Sequence, residues 1–248
     1  MKKTSPSLII ITKNCATTLE VTLKSVANLV EEIILIDDNS IDRTLDIARQ
    51  YQAMIFNYSG SFSQRKSFAL QQAKGEWILN LDSDESLSKR LVNEINLVTS
   101  HQPPISGYFI PYQNHFLGRK INFGGENYAM LRLFKKEAVI MSENIIHENF
   151  QLKKGEIIGK LKQKINHYSY RSLGQVLNKF TVYARLEAKR KKSQGEKTSL
   201  KKIFIYPLHL FWARFFKDKG YQDGLFRLPL DLSFAYLEFL TYFLMLFK

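Results

Sequence analysis

Short apolar runs alternate with amphipathic helical segments over the first hundred residues of this chain. Residues 7–12, 33–37, 54–57 and 76–81 are rich in β-branched and other apolar side chains, as buried strands are. Apolar residues at helical spacing fill the intervals, and Thr17–Glu20 matches a capping box that would open the first helix. Strands that alternate with helices predict an α/β fold with a mainly parallel sheet.

Two of these predicted strands end in acidic residues. Asp82 and Asp84 flank one small residue after the fourth strand, and Asp37 and Asp38 follow the second. Ligands of open α/β sheets bind beyond the carboxyl ends of the strands, so we expect both pairs at one site. Clustered carboxylates repel one another unless a cation lies between them, and Mg²⁺ or Mn²⁺ binds such oxygens. The alternative, solvated turn and helix-capping residues, stays open for a short acidic segment taken alone.

Charge is distributed unevenly along the 248 residues. Residues 1–150 contain 16 Lys and Arg and 16 Asp and Glu, whereas residues 151–248 contain 20 and 7, which accounts for the net charge of +13. A basic region of this kind indicates nucleic acid or an anionic membrane as its neighbour. The single Cys15 excludes an intrachain disulfide and fits a reducing compartment. No secretory signal is predicted, because the apolar run at residues 8–11 is too short.

Two apolar and aromatic segments near the C-terminus favour the membrane over nucleic acid. Residues 203–216 and 228–247 carry apolar runs with basic flanks, which suit helices lying in the membrane–water interface. The second run contains Asp231 and Glu238 and is too short to span a bilayer comfortably. We therefore expect a cytoplasmic protein, peripheral on the inner face of the cell membrane, with residues 189–202 as a mobile basic linker and no nucleic-acid partner. Core packing and an oligomer interface are the competing interpretations.

Several segments carry a family pattern. In the first half these are SLIIITKN at 7–14, IDDNSID at 36–42 and WILNLDSDE at 77–85. They resemble family 2 glycosyltransferases with the GT-A fold. Later segments are similar to the bacterial lipopolysaccharide-core glucosyltransferase subgroup: Leu131–Phe134, Ile146–Glu148, His167–Tyr170 and Lys219–Gly224. The resemblance covers nearly the full chain.

The resemblance implies a particular domain organisation. A GT-A, Rossmann-like domain with a mainly parallel mixed sheet flanked by helices would occupy residues 1–170. Within it, residues 1–100 would be the nucleotide-sugar half and residues 101–170 the acceptor half. A basic and apolar helical region that associates with the membrane would follow over residues 171–248.

The resemblance also implies a reaction and its residues. A sugar, glucose or another hexose, would pass with inversion from a UDP-sugar to a glycolipid or saccharide acceptor such as lipopolysaccharide core. Mg²⁺ or Mn²⁺ held by Asp82 and Asp84 would neutralise the leaving diphosphate, and Glu148, or Glu143 as the fallback, would be the general base. The nucleotide-sugar pocket would be lined by Thr12, Asn14, Asp37, Asp38, Lys66 and Ser83. Contacts to the acceptor or a phosphate would come from Arg132, Gly125, His147 and His167, and His167 is also a candidate third metal ligand.

Two other classes of protein compete with this interpretation. A nucleotidyltransferase-like enzyme would also place a metal-binding aspartate pair beyond a parallel sheet, but it usually has a glycine-rich phosphate loop, and residues 7–14 contain no glycine. A non-catalytic membrane adaptor with a decayed transferase domain is the second alternative. The presence of Asp82, Asp84 and Glu148 together argues against decay.

Overall fold

The computed structural model describes residues 5–101, 104–141 and 150–247. Its strands are β1 (Ser7–Thr12), β2 (Glu32–Asp37), β3 (Met54–Asn57), β4 (Trp77–Asp82), β5 (Glu85–Leu87), β6 (Gly107–Phe116), β7 (Arg119–Ile121), β8 (Ala129–Lys135), β9 (Val139–Met141), β10 (Phe150–Leu152), β11 (Ile158–Lys160) and β12 (Ile165–Tyr170). Its α-helices are α1 (Ala16–Val26), α2 (Thr44–Gln50), α3 (Phe62–Gln72), α4 (Lys89–Ser100), α5 (Leu173–Ser193), α6 (Leu200–Trp212) and α7 (Leu228–Leu244). A π-helical turn, Ala213–Lys217, follows α6.

The predicted parallel sheet is confirmed and is extended by antiparallel strands. β1 pairs in parallel with β2 and β4, and β2 pairs in parallel with β3. β8 joins β4 in the antiparallel direction and pairs in turn with β6, so the sheet is mixed. The main path of the sheet has the strand order β3-β2-β1-β4-β8-β6-β12-β5, and β7 and β11 each pair with β6 beside it. The two hydrophobic clusters built on this sheet receive alternate residues of β1: Leu8 and Ile10 enter one, and Ile9 enters the other. Alternate side chains of a strand point to opposite faces, so both faces of the sheet are covered.

The predicted capping box at the start of α1 is wrong. The helix begins at Ala16, and Cys15 in the capping position makes no side-chain capping bond. Side chains at the start of α2 and just before it accept from the first amides instead: Thr44 Oγ1 accepts from the Cys15 N–H at 2.8 Å, and Asp42 accepts from the Ala16 N–H at 3.1 Å. Free amides at a helix start can be satisfied by any nearby acceptor, and sequence spacing does not reveal a partner that lies 26 residues or more away.

Residue contacts divide the chain into two compact units. The first consists of Met1–Tyr112 and Ala129–His167, and the second of Gln113–Tyr128 and Tyr168–Lys248. The predicted limits at residues 100 and 170 stay predictions. In the second unit, α7 packs against both α5 and α6, which confirms a helical C-terminal region.

The expected linker at residues 189–202 is partly helical. α5 continues through Ser193 and α6 already begins at Leu200, so helices occupy both ends of the segment. Glu196 lies between them and accepts from Lys191 Nζ at 3.1 Å and Lys202 Nζ at 2.7 Å. These ion pairs lower the pKa of Glu196 to about 2, the hydrogen bond from Lys202 being the larger cause.

The second unit contains a buried charged cluster around Arg227, whose side chain is fully buried. Arg227 donates to Asp231 from Nε at 2.8 Å, to Asp223 from Nη1 at 3.0 Å and to the Gly124 carbonyl from Nη2 at 3.1 Å. Gly124 has φ of +64°, and a Cβ there would collide with the Arg227 guanidinium. The first glycine of the Gly124-Gly125 pair is therefore explained by packing against an arginine, because only glycine combines this φ with so close an approach.

Candidate functional site

The strand register brings the two acidic segments to one edge of the sheet. Thr12 lies opposite Asp37 in the β1–β2 pairing, and Ile11 lies opposite Asp82 in the β1–β4 pairing. These are the carboxyl ends of parallel strands, where ligands of open α/β sheets bind. All contacts described for this edge below lie within the first unit.

Asp37 shapes the turn after β2. Its carboxylate is 1% exposed and accepts hydrogen bonds from Thr12 Oγ1 at 3.1 Å, the Ser40 amide at 2.8 Å and Ser40 Oγ at 2.6 Å. Asn14 supports the same turn from the β1 side, since its amide donates to Ser40 Oγ at 2.9 Å and its side chain accepts from the Ile41 amide at 2.9 Å. Asn14 has φ of +49°, a conformation that asparagine tolerates better than most residues. These contacts give Thr12, Asn14 and Asp37 defined positions, and their roles toward a nucleotide stay predictions.

Asp38 lies next to two basic side chains that the sequence reasoning missed. Its Oδ2 is 3.0 Å from Lys13 Nζ and 3.2 Å from Arg65 Nη1. The hydrogen bond from Lys13 is the main reason why the pKa of Asp38 is lowered, and the charge of Arg65 lowers it further. Lys66, adjacent to Arg65 on α3, was the predicted basic residue, and neighbouring residues of a helix face different directions. Arg65 precedes Lys66 directly in the sequence, and this adjacency is the signal that could have indicated Arg65 as well.

Lys66 faces the interior of the first unit. It is 2% exposed, and its Nζ lies 4.3 Å from the centre of the Phe62 ring. Its charge also lowers the pKa of Asp82. Lys66 therefore places a buried ammonium group beside the acidic edge, and its role toward a nucleotide sugar stays a prediction.

Arg132 on β8 is the counter-ion of the second acidic segment. Its Nη2 lies 2.6 Å from Asp82 Oδ2 and 2.6 Å from Glu85 Oε1, and its Nε donates to the Tyr112 hydroxyl. Tyr112 in turn donates to Glu85 Oε1 at 2.7 Å. Arg132 Nη1 is buried and has no hydrogen-bond partner among the residues that the structure describes. A buried arginine, rather than a cation alone, thus holds Asp82 and Glu85 together.

One arginine neutralises only one of these two carboxylates. Burial raises the pKa of Asp82, but the charges of Arg132 and Lys66 outweigh burial and lower it well below its usual range. Burial raises the pKa of Glu85 to about 8, and the charge of Asp82 adds to this effect while Arg132 opposes it. Near neutral pH, Asp82 is therefore the ionised partner of Arg132.

Asp84 lies next to His167, whereas Asp82 contacts Arg132. Asp84 Oδ2 lies 3.6 Å from His167 Nε2, and both side chains are partly exposed. A carboxylate and an imidazole that face each other in this way can both ligate a divalent cation. Within the described ranges, no three His, Cys, Asp or Glu side chains form a group that could hold a metal ion. The fit to a cation thus rests on Asp84 and His167, while Arg132 engages Asp82.

The remaining predicted residues are placed as follows. Ser83 accepts from Thr22 Oγ1 through its carbonyl at 3.0 Å, which fixes the turn between β4 and β5. Gly125 has φ of +83° and belongs to the second unit. Its contact with the acceptor or a phosphate stays a prediction. His147, Glu148 and the fallback Glu143 lie outside the described residues.

The fold of this chain is similar to that of two solved structures. TarS 1-349 from S. aureus superimposes with a TM-score of 0.51 and 14% identity, covering 96% of this chain and 89% of that chain. The mannosyltransferase PcManGT from Pyrobaculum calidifontis, solved in complex with GDP-Man and Mn²⁺, has a TM-score of 0.50 and 13% identity over 94% of this chain and 73% of its own. With the mixed sheet and its flanking helices, these likenesses confirm the expected GT-A fold.

Sequence comparison identifies the family. Residues 7–98 match the model of Glycosyl transferase family 2. An uncharacterized glycosyltransferase of Rickettsia bellii is 31% identical over 252 residues, covering 94% of this chain and 83% of the relative. The lipopolysaccharide core biosynthesis glycosyltransferase LpsC of Rhizobium meliloti is 23% identical over 85% of this chain and 80% of LpsC. The family match, and a relative of this identity over most of both chains, show that the chain belongs to glycosyltransferase family 2.

Proposed function

We propose that this glycosyltransferase transfers a hexose such as glucose, with inversion, from a UDP-sugar to a glycolipid acceptor such as lipopolysaccharide core. The observation that carries the proposal is the edge formed by β1, β2 and β4, where Asp84 and His167 face each other beside buried Lys66 and Arg132. The relative LpsC, named for lipopolysaccharide core biosynthesis, supports the class of acceptor.

We propose that Asp84 and His167 hold Mg²⁺ or Mn²⁺ at this edge. The complex of PcManGT with GDP-Man and Mn²⁺ supports a divalent ion beside a sugar nucleotide in this fold. When bound, the ion supplies positive charge to the leaving diphosphate. Asp82 would act differently from the expectation that it binds the metal ion. Arg132 donates to one carboxylate oxygen of Asp82, so the main role of Asp82 would be to orient Arg132.

Basic side chains of the chain itself would bind the donor phosphates. The buried Nη1 of Arg132 has no partner in the described part of the protein, and an unpaired buried donor costs about 1–3 kcal/mol, so a phosphate oxygen in reach would bind there favourably. Lys66 adds a second positive charge beside Asp82. Asp38, held by Lys13 and Arg65, would contact the ribose or base. Fixed charges of this kind stabilise a charged leaving group without reorganising during the reaction.

Inversion requires a base that takes the proton from the attacking acceptor hydroxyl, and we propose Glu148 for this role. We expect Glu148→Gln to bind the donor normally and to lower the rate of transfer about 10²-fold, because the amide keeps the shape of the side chain but accepts no proton. Single-turnover kinetics with donor binding measured in parallel test this. Glu143→Gln is the matched control, and normal turnover of Glu148→Gln with loss in Glu143→Gln would move the assignment to Glu143.

One experiment separates the proposed reaction from the two competing classes. The purified protein is incubated with Mn²⁺ and either a panel of nucleotide sugars or nucleoside triphosphates with a sugar phosphate, and the phosphate-containing products are identified. A glycosyltransferase releases the nucleoside diphosphate from its own donor, whereas a nucleotidyltransferase releases pyrophosphate from a nucleoside triphosphate. A non-catalytic adaptor releases neither.

We further propose that the enzyme works at the cytoplasmic face of the membrane, where a lipid-linked acceptor resides. Support comes from the excess of positive charge in residues 151–248 and from the apolar C-terminal helices. Among the residues that the structure describes, no helix is long and apolar enough to cross a membrane. We propose that the basic and apolar C-terminal helices attach the protein peripherally.

A further inference from the structure

The outer face of α6 is apolar and open to solvent. Leu200, Phe204, Leu208 and Trp212 follow one another at intervals of four residues, and each is between 51% and 72% exposed. Residues four apart lie on the same side of a helix, so they form one continuous face, which we call the α6 face. Single exposed apolar residues are normal on proteins, but a contiguous apolar face marks a binding surface.

The opposite side of α6 is already used by the fold. Ile203 and Pro207 are buried there, and Ile203 packs with Tyr242 and Met245. The packing of Ile203 and Pro207 within the second unit therefore uses a side of the helix other than the α6 face. The second C-terminal segment behaves differently, because α7 packs against both α5 and α6 and most residues of its middle part are only partly exposed. The burial pattern therefore favours α6 over α7 as the segment that binds a partner outside the unit.

The positive charge at both ends of the α6 face indicates the chemistry of the partner that binds there. Lys197 and Lys201 are exposed at the start of the helix, and Lys217 and Lys219 are exposed just beyond its end, with one exposed acid, Asp218, between them. The region 151–248 as a whole carries 20 basic and 7 acidic residues. A second copy of this chain would bring two positively charged surfaces together, whereas an anionic lipid surface complements the charge.

We infer that α6 lies flat in an anionic bilayer surface, with the α6 face in the acyl-chain boundary and the flanking lysines at the headgroups. A 13-residue helix is about 20 Å long, which is too short to cross a hydrocarbon core of about 30 Å but suits the interface. Aromatic side chains such as Trp212 and Phe204 favour this zone. This inference deepens, and rests on, the peripheral location proposed above, but it does not depend on the proposed chemistry.

Trp212 provides an internal reporter of this contact. The chain has two tryptophans, and the other, Trp77, is fully buried in the first unit. Vesicles of phosphatidylethanolamine and phosphatidylglycerol should shift the emission of Trp212 to shorter wavelength, and brominated lipid chains should quench it. High salt should weaken both effects, because the lysine–headgroup attraction is screened. Emission that is unchanged at saturating vesicle concentration would overturn the inference.

A pair of matched double variants of the full chain tests the α6 face itself. Leu208→Ser with Trp212→Ser should weaken flotation with these vesicles about tenfold or more, because two apolar side chains lose their burial. Val182→Ser with Leu186→Ser removes two residues of α5 with similar exposure, 52% and 60%, and should leave flotation unchanged. Equal flotation of both variants would contradict the inference, as would a concentration-dependent dimer that only the α6 variant abolishes.

The readouts keep this inference separate from the proposed reaction. Hydrolysis of the donor in solution, without vesicles, should be the same in both double variants and the unaltered protein. Loss of flotation with full donor hydrolysis supports the membrane contact. An unaltered protein that floats but hydrolyses no donor would leave the α6 inference standing and refute the proposed chemistry alone.

Discussion

Asp84→Ala is expected to lower the rate of sugar transfer about 10³-fold while the protein stays folded. A divalent ion contributes several kcal/mol to the stabilisation of a leaving diphosphate, and each 1.4 kcal/mol changes the rate tenfold. Unlike Asp82 and Glu85, Asp84 has no contact with Arg132 among the described residues, and it faces His167 at 3.6 Å. Removing one of several neighbouring carboxylates relieves repulsion, so the free energy of unfolding should not fall.

The measurement is transfer activity over a range of Mn²⁺ concentrations, with Mn²⁺-dependent binding of UDP as a second readout. Asp46→Ala is the control, because Asp46 is an exposed acid in the same unit that pairs only with Arg49 among the described contacts. His167→Ala should weaken Mn²⁺-dependent binding in the same way as Asp84→Ala, and the double variant should lose little more than either single one. Activity of Asp84→Ala that persists in the presence of a chelator would exclude the proposed metal site.

Local patterns along the chain were sufficient to predict the four parallel strands at the start of the sheet. The apolar runs at 7–12, 33–37, 54–57 and 76–81 all became strands, and β1 and β3 have the predicted bounds. Acidic residues at strand ends could be placed at one edge without coordinates, because parallel strands end on the same side of a sheet. These inferences succeeded because they depend on side-chain period and on chain order, and both can be read from a sequence.

Side-chain contacts between residues that are far apart in sequence could not be predicted in this way. That Asp82 and Asp84 share one cation stays a prediction, and the contact of Asp82 with Arg132, which lies 50 residues further along the chain, was not predicted. Tyr112 and Arg65 were missed for the same reason, since no spacing rule connects them to Glu85 or Asp38. The basic segment at 189–202 was misjudged because its ion pairs through Glu196 are visible only once the helices are in place.

The hydrogen-bond network of Arg132 predicts the largest loss of stability at the site. Arg132→Met should lower the free energy of unfolding by about 3 kcal/mol, because breaking a buried ion pair from one side leaves the other charge uncompensated. The Arg132 side chain is 3% exposed and its hydrogen-bond acceptor Glu85 is 1% exposed, so water replaces little of the lost hydrogen bonding. Asp82 is 37% exposed and Lys66 lies near it, which places the expected value at the lower end of the range for buried pairs.

Chemical denaturation of three variants distinguishes this effect from a general loss of charge. Arg132→Lys keeps the charge but lacks the planar guanidinium that places separate donors on Tyr112 and on the two carboxylates, so its stability should lie between Arg132→Met and the unaltered protein. Arg49→Met removes an exposed arginine from its pair with Asp46 and should leave the unfolding midpoint unchanged, because exposed ion pairs contribute little. If Arg132→Met were as stable as Arg49→Met, the network would not hold the acidic edge together, and a bound cation would have to take that role.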